Sequence, residues 1–244
     1  MPTSAVPFLD TVWRASELSA GAGPTVASGH ALLDAALPGA GWPCGSLTEI
    51  MQTQAGVHEW RLLLPALRGL AGAVVLVASP HLPNMPALAC LGLPLASVLL
   101  VNASRPADQL WAAEQALRCR DVSALMVWLP QARSEQLRRL HMAAQSANQN
   151  QAPLVFVFRP LLAQDTSSPA PLRLRMGSAP GHRLEIGILK RRGPTLDKPL
   201  LLLPALPAAL VKPAKPASAP VPSFPTSPTP LYAVDRPRTP STSA

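Results

Sequence analysis

LTEIMQTQAGVHEW, residues 47–60, poses the first question about this chain. Leu47 to Ile50 reads as a short strand ending in Glu-Ile, Met51 to His58 as a loop with one glycine, and a helical pattern runs from Glu59 to Leu70. Strand, loop and helix in that order are the setting of a phosphate cradle. The working pattern there is GxxxxGK[ST]: glycines let backbone N–H groups surround the phosphates, the lysine neutralises charge and the hydroxyl holds Mg²⁺. In this register Gln52 stands at the first glycine, Val57 at the second (beside Gly56), His58 at the lysine and Glu59 at the Ser/Thr. A neutral imidazole supplies no fixed positive charge, and a carboxylate repels phosphate. The loop has the right length and lacks the chemistry.

Strands and helices alternate on the C-terminal side of this segment. Residues 73–78 (AVVLVA), 98–101 (VLLV), 124–129 (ALMVWL) and 154–158 (LVFVF) are continuous apolar runs, as in strands buried on both faces. Helical stretches fall between them at Glu59–Leu70, Pro106–Arg118 and Ser134–Ala147, with Ser134 as N-cap and the Arg138/Arg139 pair inside. Such alternation predicts βαβ units, hence an α/β fold with a mainly parallel sheet flanked by helices. Past Pro171 the period changes to two. Leu172–Met176 and Arg183–Leu189, joined by a turn at Ala179–His182, predict a closing β-hairpin with one wet face.

Proline marks the ends. Twelve of the thirty prolines lie from Pro199 onward. Residues 205–244 are too rich in Pro, Ser and Thr to bury enough apolar surface to offset ordering entropy, so they are expected to form a disordered tail. One apolar island in it (Leu231, Tyr232, Val234, with Arg236) reads either as a docking peptide for a partner or as chance composition. Residues 1–28 are expected to be an N-terminal arm with a short helix around Thr11–Ser19, leaving 29–204 as the folded domain.

Composition narrows the functional classes. With 244 residues, 48% hydrophobic and 14% charged, the chain can bury a sizeable core. No run of about 18 apolar residues predicts a spanning helix, and MPTSAVPFLDTVWR lacks the basic-then-apolar order of a secretory signal, so the expectation is a soluble, cytoplasmic protein. Three scattered cysteines (Cys44, Cys90, Cys119) argue against a disulfide framework, and no Cys/His cluster has zinc-site spacing. The formal charge of +8 favours polyanionic partners, although seventeen Arg to four Lys also fits a GC-rich coding bias.

Residues 30–60 resemble the lead-in to the nucleotide loop of bacterial RecA, in which a Leu–Asp helix, a Gly-rich turn and a strand ending in Glu-Ile precede the loop. The matching residues are Leu33-Asp34, Gly39 to Gly45 and Leu47 to Ile50. With Gly56, Arg105 to Asp108, Leu110-Trp111 and Glu114 to Leu117, the chain more specifically resembles the ImuA family, RecA-like and SulA-related accessories of bacterial translesion DNA synthesis. The resemblance extends to about residue 203. It implies a RecA-like domain without a functional Walker A loop. It also implies a non-enzymatic role in SOS-induced, error-prone lesion bypass, beside an ImuB-like Y-family polymerase homologue, an error-prone polymerase III α-subunit and RecA. Two further ATPase positions are empty of the needed groups: Val77 to Pro80 offers no carboxylate for a catalytic Glu, and Trp128-Leu129-Pro130 none for the Mg²⁺-supporting Asp. No catalytic residue, metal ligand or cofactor is expected.

DNA is a further candidate partner. Arg173, Arg175, Arg183, Lys190, Arg191 and Arg192 gather near the hairpin, with Glu185 the sole acid, and alternation places Arg173 and Arg175 on one face. They read either as a phosphate-tracking stripe, binding in a salt-dependent and sequence-independent way, or as a solvated sheet face. Aromatic residues that would stack bases are absent from the segment. Trp42, Trp60, Trp111 and Trp128 read as core or interface anchors. Two rival functions share the fold: a SulA-type inhibitor of the cell-division GTPase FtsZ, and an active RecA-like ATPase or recombination mediator.

Overall fold

The structure is a computed structural model and describes residues 23–147, 152–194, 196 and 198–203. The expected helix at Thr11–Ser19, the expected tail and the candidates Leu231, Tyr232, Val234 and Arg236 lie outside the described residues.

The centre of the molecule is β3 (Leu47–Gln52). It lies between β7 (Leu154–Pro160) and β8 (Leu172–Ala179), parallel to both. Beyond β7 come β6 (Val122–Trp128), β4 (Ala73–Val77) and β5 (Val98–Val101), all parallel. On the other side β9 (Arg183–Lys190) and β10 (Leu200–Leu202) close the sheet antiparallel. The eight-stranded order is β10-β9-β8-β3-β7-β6-β4-β5. Thr25–Val26 (β1) pairs separately with Trp42–Pro43 (β2), so the last residues of the expected arm are bonded to the body.

Period-two alternation on buried strands produces two apolar layers. Ile50, Leu76, Met126, Phe156 and Leu174 face one side. There they pack against α1 (Ala31–Ala36), α2 (Glu59–Leu67) and α3 (Met85–Cys90). Leu47, Val75, Val127 and Val157 face the other side, against α4 (Pro106–Arg118) and α5 (Ser134–Ser146). This is an α/β fold with a large, mostly parallel mixed sheet flanked by helices, as the alternating pattern predicts.

Three local expectations need correction. The second helix ends at Leu67, not Leu70, and carries Pro65, which has no N–H to continue the ladder. Ser134 is the first helical residue of α5 and Arg133 the N-cap; Gln136 reaches back and accepts the Arg133 N–H at 2.9 Å. Finally, the hairpin's side face is not wet throughout. Around Arg173 it is covered by residues 161–170, and only from Arg175 onward does it open to solvent.

Candidate functional site

Open α/β sheets bind ligands at the carboxyl ends of their strands, where neighbouring strands send their connections in opposite directions. Here the β3/β7 boundary is one such place, because β3 leads toward β4 and β7 leads across to β8. A cavity of about 260 Å³ lies there, lined by Gln52, Thr53, Ala78, Trp128 and Arg159 among others. Arg159 is the one charged residue in its lining.

The loop that leaves β3 closes on its own acid. Glu59, first residue of α2, is 1% exposed. Its Oε1 accepts the Gly56 backbone N–H at 2.6 Å, the Gln52 amide at 2.7 Å and the Trp128 indole N–H at 3.1 Å. Its Oε2 accepts the His58 backbone N–H at 3.0 Å. Backbone N–H groups in a loop before a helix N-terminus would ordinarily surround a phosphate. In this chain they surround a side-chain carboxylate. Gly56 makes the closure feasible: its φ is +85°, and a Cβ there would collide with the His81 ring.

The neighbouring positions complete the substitution. His58 occupies the lysine position, and burial, reinforced by the Arg61 cation, lowers its pKa, so the imidazole is held neutral. Among the described residues its buried Nδ1 has no hydrogen-bond partner. Trp128, at the position of a metal-supporting acid, stacks on Phe158 at 4.7 Å and gives its N–H to Glu59. Among the described residues, no group of three His, Cys, Asp or Glu could hold a metal ion.

Beneath the loop lies a buried ion-pair network that the sequence pattern did not reveal. Glu49, fully buried in β3, accepts from Arg159 Nη1 at 2.7 Å and from Arg173 Nε at 2.8 Å. Arg173 is the direct cross-strand partner of Glu49, while Arg159 sits two registers further along β7. Arg159 also donates to Ala132 O, and Arg173 to Ala163 O. A lone acid within an apolar central strand was the available signal, since a charge buried there requires a partner.

The six cations therefore do not form one stripe. Arg173 is 8% exposed and paired inside the fold, so it is withdrawn as a DNA contact. Arg175 pairs with Glu185 at 3.2 Å on the surface. Arg183 is exposed at the hairpin turn, and Lys190 donates to Ser168 O. Arg191 donates to Ala36 O and Pro194 O, while Arg192 lines a second cavity at the amino-terminal ends of β3 and β8. The tryptophans divide likewise: Trp42 and Trp128 are core, and Trp111 is 62% exposed on α4.

No protein-family model and no curated protein sequence matches the chain.

Proposed function

We propose that this chain is a catalytically silent, RecA-like accessory protein of the ImuA type, acting in error-prone lesion bypass by binding other proteins. The supporting observation is the Glu59 carboxylate seated among the loop N–H groups. A nucleotide phosphate would have to displace a buried anion that already has four donors, and it would find neither a lysine nor a metal-holding carboxylate in compensation. The parallel sheet, with its strand–loop–helix unit at the centre and its antiparallel closing strands, is the architecture this reading requires. In this reading function rests on surfaces, and among the described residues the exposed Trp111 on α4 is the strongest aromatic anchor.

A pull-down of the purified chain against RecA and the ImuB-like polymerase tests the proposal, with and without residues 205–244. Retention of either partner is expected, and loss on truncation assigns docking to the tail. Failure to retain either partner, together with inhibition of FtsZ polymerisation, replaces this reading with the cell-division inhibitor.

A further inference from the structure

The two edges of the sheet are built differently. β10 is three residues long with Lys198 just before it, and short strands and lysines are common guards of a sheet edge. At the opposite end, β5 carries none of these guards. Its Val98–Val101 sequence has no charge and no proline, and its pairing with β4 runs without a bulge. Among the described residues no strand pairs with its outer side, whose row of backbone N–H and C=O groups is left for a further strand.

Both faces of β5 are bare at this edge. Register puts Leu99 beside Val75 on the α4–α5 side and Leu100 beside Leu76 on the α1–α3 side. Leu99 is 51% exposed and Leu100 37%, so neither helical layer reaches over the edge. Leu95, in the turn that feeds β5, and Leu82, beyond the end of β4, are exposed as well. None of the residues from Gly69 to Ser104 is Asp, Glu, Lys or Arg, in a chain of which 14% is charged. Exposed aliphatic residues in an uncharged stretch are the composition of the middle of a protein interface.

We infer that β5 is a dimerisation edge, on which a second copy of this chain pairs antiparallel through its own β5. A docked helix would cover one face and leave the backbone groups open; only another strand covers both leucines and the backbone together. The stretch has no charge with which to select a foreign strand, whereas β5 is apolar on both faces and already extended, so ordering it costs little. A two-fold axis normal to the sheet returns each face to itself, so residues of the same face meet. Centred on Leu99, it sets Leu99 against its counterpart and Val98 against Leu100 of the second copy, all aliphatic pairs. The inference does not rest on the lesion-bypass reading: a chain that retains neither RecA nor a polymerase can still pair with itself.

The test is sedimentation of the full chain at about 100 µM. The expected mass is twice the 25.7 kDa of one chain. Leu99→Lys places a guard lysine inside the strand and is expected to weaken pairing by about tenfold or more at unchanged unfolding temperature. Leu201→Lys, on β10, is the control and leaves the mass unchanged. Should Leu99→Lys unfold early, hydrogen exchange of the parent chain decides: the outward amides of Val98–Val101 gain protection as concentration rises, and those of β10 do not. A monomer, an assembly larger than two, a dimer untouched by Leu99→Lys in its folded state, or one broken by Leu201→Lys overturns the edge. A monomer whose β5 amides are protected at every concentration gives the edge to another part of the same chain, which also overturns the pairing.

Discussion

Glu59 closes the loop because it supplies an anion where the chain presents donors. Three of its four bonds are local, from Gln52, Gly56 and His58, and the fourth comes from Trp128 on another strand. Glu59→Gln replaces one carboxylate oxygen with an NH₂ group that confronts N–H donors, leaving buried donors unsatisfied. The expected loss is about 1–3 kcal/mol of unfolding free energy, measured by urea denaturation; an unchanged midpoint contradicts the bonding described. The sequence made the missing lysine and the wrong-sign residue at position 59 legible. It could not disclose that the acid turns inward, because Trp128 is distant along the chain and Trp N–H groups do not advertise their acceptors.

The central strand β3 holds the molecule's charge problem at its midpoint. Glu49 is shared between Arg159 of β7 and Arg173 of β8, so three strands are tied at one carboxylate. Glu49→Gln leaves two buried guanidinium groups without their counter-ion and is expected to cost about 3–5 kcal/mol. Glu185→Gln, which breaks only the solvent-facing pair with Arg175, is expected to cost about 1 kcal/mol or less. Comparable losses in the two variants, by the same urea titration, would contradict the assignment of Arg173 to the interior. Strand positions were readable from the apolar runs, but the run at 98–101, read as buried on both faces, is instead the edge strand β5, with Leu99 and Leu100 exposed. Alternation correctly placed Arg173 and Arg175 on one face. Whether that face is wet depends on residues 161–170 folding over its upper part, which no period in β8 itself reports.

At the scale of the whole molecule, pH couples to folding through histidines. His30, whose Nε2 N–H donates to Leu62 O, is lowered from its ordinary 6.5 by burial, as are His58 and His141. A depressed folded-state pKa means that the unfolded chain binds the proton more readily. Stability from these groups is complete above about 6.5 and declines as pH falls toward the depressed values. The unfolding temperature should therefore drop between pH 7 and pH 5, and His30→Gln should flatten part of that slope; a flat or rising profile in the parent protein contradicts it. The layered sheet itself was legible from the βα alternation. β10 was not, since Leu200–Leu202 is too short to show a period and gains its identity only by pairing with β9.

The central claim is that the anion seat at the head of α2 belongs to Glu59, leaving none for a nucleotide. Calorimetric titration of the purified chain with ATP and Mg²⁺ tests it most directly. The account predicts no saturable heat up to millimolar nucleotide; Mg²⁺-dependent binding at micromolar concentrations would contradict it.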